Sequence, residues 1–166
     1  MTPTLHTVGF DVSIRRTGWA ALTYDTGDLT ARGIIATDPG LGLLPRLASI
    51  RSQTLDVLDR LGDSTDVAME GGFVARSGDV TRKLAMAWCV VGLAAWGRLD
   101  IEPHVVSPKE VKALATGKGN APKDLVVAAA VERWGPTVDD PDIADACWIA
   151  EHGRLAMHAR FPEVTG

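Results

Sequence analysis

The hydrophobic pattern of the first 36 residues predicts three short strands. Residues 6–10 form an apolar run that ends at Asp11, and residues 18–24 and 29–36 form two further strands. Asp25-Thr26-Gly27-Asp28 is a hairpin signal between the last two. The chain is therefore expected to begin with an antiparallel meander.

The middle of the chain predicts a helix, a strand and a second helix. Leucine and isoleucine recur at helical spacing over residues 44–61, and residues 66–70 form a short apolar strand that ends in Glu70. Residues 80–97 predict a helix that is apolar on nearly every side. Such a helix is expected to be covered by the core on one side and by a partner subunit on another.

The last third predicts one strand followed by helices. Residues 102–106 form a fifth strand, and Ser107 is a good N-cap for a short helix that starts at Pro108. Helices over residues 122–134 and 141–159 follow. We expect an α/β fold in which a mixed five-stranded sheet, with three antiparallel strands and then parallel strands, is flanked by helices.

Length and composition favour a single soluble domain over residues 1–166. The chain has 166 residues, of which 46% are hydrophobic and 23% charged. It has no apolar run long enough to cross a membrane and no secretory signal at its start, so we expect a cytoplasmic protein. Cys89 and Cys147 lie in apolar helical patterns without metal-ligand spacing, which predicts buried free thiols.

The distribution of charge along the chain is more informative than the net charge. The net charge of −4 argues against a non-specific nucleic-acid binder, but a sum over the whole chain hides local fields. Lysines are concentrated over residues 109–123, and aspartates over residues 139–145.

Four acidic residues lie at the ends of predicted elements. Asp11 ends the first strand, Glu70 ends the fourth, and the i, i+3 pair Asp142 and Asp145 begins the last helix. If the first and fourth strands are neighbours, these carboxylates can meet, and their repulsion then requires a cation. Oxygen ligands suit Mg²⁺ or Mn²⁺, and the chemistry that uses such a cluster is two-metal phosphodiester hydrolysis.

The alternative for each acid is an ordinary structural role. Acids near helix starts usually serve as solvated charges or complement the helix dipole, and this alternative is strong for Asp142 or Asp145 taken alone. Asp11 differs, because an unpaired acid that ends an apolar strand is costly to bury.

Four segments together resemble the motifs of RuvC-type Holliday-junction resolvases, which have an RNase H-like fold. The segments are residues 9–20 around Asp11, 68–73 around Glu70, 111–123 with their lysines, and 142–146 with the last two aspartates. The resemblance implies a homodimer that nicks two opposed strands of a four-way DNA junction through metal-activated water. It also implies that the four acids named above bind two divalent ions.

The chain departs from the family pattern in two respects. Val12-Ser13 follows the first aspartate where the family often has proline and glycine, a variant associated with phage-encoded relatives. Such relatives cut several kinds of branched DNA, so a broader debranching nuclease is an alternative. The acidic net charge is the second departure.

The same resemblance suggests a set of DNA contacts. Phe73 corresponds to an aromatic residue that inserts at the junction centre, and its alternative role is to anchor its loop on the core. The candidate phosphate contacts, each of which has an exposed surface charge as its alternative, are Arg76, Arg82, Lys83, Lys112, Lys118 and Lys123. Arg15 and Arg16 follow Asp11 in the turn and are equally compatible with DNA contacts or with exposed hairpin charges.

Two other protein classes compete with the nuclease. The segment from Gly9 to Gly18 also resembles the phosphate hairpin of actin-like kinases and chaperones, but those proteins need two such domains. A non-catalytic module that binds nucleic acid is the other rival, and the presence of all four acids argues against it.

Overall fold

The computed structural model describes residues 5–72 and 77–160, which form one mixed sheet with helices on both faces. The strands are β1 (His6–Asp11), β2 (Arg16–Thr23), β3 (Leu29–Ala36), β4 (Thr65–Glu70) and β5 (His104–Val106). The helices are α1 (Leu43–Leu61), α2 (Gly78–Leu99), α3 (Pro108–Thr116), α4 (Lys123–Trp134) and α5 (Pro141–Arg160), with a 3₁₀ turn at Pro136–Val138.

The strand order β3-β2-β1-β4-β5 places β1 at the centre of the sheet. The strands β1, β2 and β3 pair antiparallel, as the hairpin signal predicts, whereas β4 and β5 run parallel to β1. Asp11 lies opposite Gly18 on β2, and Phe10 lies opposite Met69 on β4. Asp11 directly follows Phe10, and Glu70 directly follows Met69. The two acids therefore end neighbouring strands at the same end of the sheet.

Alternation along β1 divides the core into two layers. Val8 and Phe10 point toward α1 and α2, in a cluster that also contains Leu58 and Val91. The opposite face is covered by α5, with α3 and α4 outside it, and Ala68 belongs to that second cluster.

Glycines on the sheet let α5 pack directly against β1 and β2. A Cβ atom added at Gly9 would overlap the backbone of Ala146, and one added at Gly18 would overlap the carbonyl group of Asp142. Further along, Gly153 of α5 packs on Ala68 of β4. Because Gly18 pairs with Asp11, this close approach brings the start of α5 to the carboxyl end of β1.

The structure corrects several details of the sequence prediction. Helix α2 is longer at both ends than residues 80–97. The Ser77 hydroxyl accepts the Val80 N–H and caps its start, and Asp100, in the left-handed conformation, caps its end. Strand β5 is limited to three residues. Cys147 is buried as expected, but Cys89 is exposed, because α2 is covered by α1 on only part of its surface. Within residues 5–72 and 77–160, no helix combines the length and apolarity needed to span a bilayer.

Candidate active site

Asp11 and Glu70 form the part of the site that the sheet provides. Burial, together with the nearby charges of Asp145 and Glu70, raises the pKa of Asp11 to about 8. Burial also raises the pKa of Glu70 to about 7, again with a contribution from Asp145. Both carboxyl groups therefore lie where ionisation is unfavourable unless positive charge is supplied.

Helix α5 contributes the other two carboxylates from its first turns. Its start is capped by Asp140, whose Oδ1 accepts the N–H groups of Asp142 at 2.9 Å and Ile143 at 3.3 Å. Asp142 and Asp145 lie three residues apart and so project on the same side of the helix. Burial raises the pKa of Asp145, although Lys123 acts in the opposite direction, so this acid shares the environment of Asp11 and Glu70.

Three cationic side chains surround the acids. Lys123, at the start of α4, donates to Oδ2 of Asp145. Arg16 donates through Nε to Oδ2 of Asp142 at 2.8 Å and pairs through its terminal nitrogen with Asp140. Lys112 of α3 acts electrostatically to lower the pKa values of both Glu70 and Asp145, which places it near the same cluster.

The donor set fits a hard divalent cation. Asp11, Glu70, Asp142 and Asp145 supply only carboxylate oxygens, and burial together with their mutual repulsion raises the pKa values of Asp11, Glu70 and Asp145. In the described part of the chain, no three carboxylate, imidazole or thiol groups already converge as a metal-binding group. Two of the acids are instead paired with cations, Asp142 with Arg16 and Asp145 with Lys123.

Comparison with known proteins identifies the family. The model of the family described as crossover junction endodeoxyribonuclease RuvC matches residues 7–151, which include all four acids. The chain belongs to the RuvC family. A RuvC from Gluconacetobacter diazotrophicus is 33% identical over 147 residues, covering 86% of each chain. One from Brachyspira hyodysenteriae is 32% identical over 146 residues, covering 87% of this chain and 90% of the relative.

Solved structures show the same fold. Thermus thermophilus RuvC in complex with a Holliday junction substrate superposes with a TM-score of 0.77 at 24% identity, covering 95% of this chain and 96% of that one. The yeast mitochondrial Holliday junction resolvase Ydc2 superposes with a TM-score of 0.62 at 15% identity, covering 98% and 82%. The RNase H-like fold expected from the sequence is therefore confirmed, and the RuvC family is one of divalent-metal-dependent nucleases.

Only some of the predicted DNA contacts lie beside the four acids. Lys112 and Lys123 lie beside the acids, and Lys118 is exposed in the turn between α3 and α4. Arg82 and Lys83 lie on the first turns of α2, where both pair with Asp79, at 2.7 and 2.5 Å. Two further candidates, Phe73 and Arg76, lie outside the described residues.

Sequence reasoning missed two features of the site. The bridge from Arg16 to Asp140 joins positions 124 apart, and no pattern in the sequence links the two residues. Trp88 of α2 donates its indole N–H to the carbonyl oxygen of Glu70 at 2.9 Å and so fixes the end of β4.

Proposed function

We propose that this chain is an endonuclease that resolves four-way (Holliday) DNA junctions by metal-dependent hydrolysis with paired nicks. The observation that carries the proposal is the meeting of β1, β4 and the start of α5, where Asp11, Glu70 and Asp145 have raised pKa values. Buried acids that repel one another are unfavourable for stability, and a bound cation offsets that cost. Membership of the RuvC family supports the same conclusion independently.

In this proposal the four acids hold two Mg²⁺ ions, for which Mn²⁺ can substitute. Ions held by these residues would lower the pKa of an attacking water and would stabilise negative charge on the leaving oxygen. Asp11 and Glu70 provide rigid ligands because both end paired strands. Asp142 and Asp145 are fixed by the packing of α5 on Gly18 and by the Asp140 cap.

The lysines would hold the DNA backbone beside these acids. Lys112 of α3 and Lys123 at the start of α4 both act on the charges of Glu70 and Asp145, and Lys118 lies in the turn between these two helices. Phosphate contacts of this kind fix the position of the duplex without reading its sequence. We assign Phe73, in the segment that follows Glu70, to stacking on a base at the branch point.

A second copy of the chain is the proposed partner. An apolar groove of about 560 Å³ runs between α2 and β5, and its lining includes Leu93, Trp96 and Val105. These three side chains are 68%, 51% and 51% exposed, which is unusual for large apolar residues on one surface. A twofold dimer through this groove would cover them and supply the two active sites that paired nicks require.

The direct test is cleavage of labelled DNA in the presence and absence of Mg²⁺. We expect Mg²⁺-dependent, paired cuts in a synthetic four-way junction, and loss of cutting with retained binding in the Glu70→Gln variant. Glu132→Gln makes the same chemical change on the exposed surface of α4 and is expected to cut like the wild type.

Other substrates and variants decide between the alternatives. Equal cutting of three-way and flap DNA would replace the junction resolvase with a broader debranching nuclease. Binding of junctions with no cutting in Mg²⁺ or Mn²⁺ would leave a non-catalytic module. Undiminished cutting by Glu70→Gln would refute the assignment of the site.

A further inference from the structure

Arg16 connects the two parts of the chain that carry the acidic residues. It is the first residue of β2, five positions after Asp11, and its guanidinium bridges Asp140 and Asp142 at the start of α5. The side chain is 47% exposed, so its charge lies at the rim of the acidic cluster rather than in the core.

The backbone of Arg16 is held independently of the acids. Its N–H donates to the Ser13 hydroxyl at 3.0 Å, and that hydroxyl donates to the Arg16 carbonyl oxygen at 2.9 Å. Thr17 closes the same turn, because its hydroxyl accepts the Ser13 N–H at 3.0 Å. The backbone that carries the side chain is therefore held in a turn of its own, while the guanidinium at the end of the side chain contacts Asp140 and Asp142.

Asp140 and Asp142 relate differently to this guanidinium. Asp140 uses Oδ1 to cap α5 and Oδ2 to pair with Arg16, so both of its oxygens have partners within the protein. Oδ2 of Asp142 accepts a hydrogen bond from Arg16, and Asp142 is also one of the proposed metal ligands. A cation that binds Asp142 must therefore compete with the positive charge of Arg16, whereas the pairing with Asp140 can persist.

We propose that Arg16 is a positioning residue that serves as an internal counter-ion of the active site and weakens divalent-metal binding by competing for Asp142. The inference rests on the proposed function, since it takes Asp142 as a metal ligand. Removing the guanidinium should leave the start of α5 in place, because the Asp140 cap and the packing on Gly18 remain. The loss of one adjacent positive charge should then strengthen metal binding.

The test is a titration of the DNA-free protein with Mn²⁺, followed by electron paramagnetic resonance of the free ion. We expect Arg16→Gln to bind Mn²⁺ about two- to fivefold more tightly than the wild type, the range that a partly exposed ion pair supports. Arg16→Lys keeps the charge and is expected to stay closer to the wild type. Arg15→Gln removes the same charge from the neighbouring exposed position and is expected to change the affinity little.

A second readout follows the guanidinium itself. The Nε–H resonance of Arg16 can be assigned in a ¹⁵N correlation spectrum because it is missing from the spectrum of Arg16→Gln. We expect this resonance to shift when Mg²⁺ is added to the wild type. Circular dichroism and thermal unfolding of each variant confirm that the fold is retained before its affinity is compared.

The outcomes separate this inference from the proposed function. If the wild type binds Mn²⁺ and Arg16→Gln binds it equally or more weakly, the counter-ion role is refuted and the nuclease proposal stands. An equal gain in Arg15→Gln would also refute it, because general charge would then explain the effect. If neither the wild type nor Arg16→Gln binds Mn²⁺, both the metal site and this inference are wrong.

Discussion

Replacing Asp11 with asparagine should stabilise the metal-free protein at alkaline pH. The pKa of Asp11 is raised from 3.8 to about 8 in the folded state, so ionising this group opposes folding. Stability is therefore highest at low pH with respect to this residue, falls as the pH rises above the unfolded value of 3.8, and stops falling above about 8. Asparagine has nearly the same shape and carries no charge, so the variant avoids this loss.

The size of the effect follows from the pH interval. Each pH unit between the unfolded and folded pKa values lowers the free energy of unfolding by about 1.4 kcal/mol. The three units from pH 5 to pH 8 therefore lower it by about 4 kcal/mol. Because part of the shift comes from the charges of Asp145 and Glu70, we expect the free energy of unfolding of Asp11→Asn, relative to that of the wild type, to rise by about 2–4 kcal/mol from pH 5 to pH 9.

The assay is urea unfolding followed by tryptophan fluorescence at pH 5 and pH 9 in the presence of EDTA. Asp56→Asn, on the exposed surface of α1, is the matched control and should show no such pH-dependent gain. Added Mg²⁺ should stabilise the wild type more than Asp11→Asn, since it binds the folded state through this carboxylate. A variant that is equally or less stable than the wild type at both pH values would refute the reasoning.

Three further predictions concern other parts of the account. Gly18→Ala should reduce cleavage at least about tenfold in a folded protein, because an added Cβ displaces the start of α5; a wild-type rate would contradict this close packing. Phe73→Ala should slow junction cleavage by about tenfold while affinity falls less, as measured by single-turnover kinetics and gel shift, and unchanged kinetics would remove the stacking role. Light scattering at micromolar concentration should give a dimer for the wild type and a monomer for Leu93→Glu, and a monomeric wild type would refute the proposed interface.

The positions of the strands were predictable because their signals are local. Apolar runs ending in Asp11 and Glu70 identified β1 and β4, and the hairpin signal fixed the antiparallel start of the sheet. That β1 and β4 are neighbours was a condition of the sequence argument, and the observed parallel register satisfies it. The closeness of α5 had a signal too, since Gly9 and Gly18 leave room for its backbone.

The partners of the charged side chains could not be predicted in this way. Lys123 is predicted to contact phosphate, and in the structure it pairs with Asp145, because the packing of α4 on α5 brings together residues 22 apart. The bridge from Arg16 to Asp140 depends on the crossing of α5 over β2, which no periodic pattern encodes. The uneven exposure of α2 was also hidden, because an apolar helix does not reveal which of its faces the core covers.

The central claim is that carboxylates from β1, β4 and α5 hold divalent ions together. A crystal soaked in Mn²⁺ and measured near the manganese absorption edge tests it directly, because anomalous difference density locates the ions without assumptions about ligands. We predict density within bonding distance, about 2.0–2.4 Å, of oxygens from Asp11, Glu70, Asp142 and Asp145. A fully occupied ion elsewhere, with Arg16 and Lys123 still paired to these acids, would contradict the account.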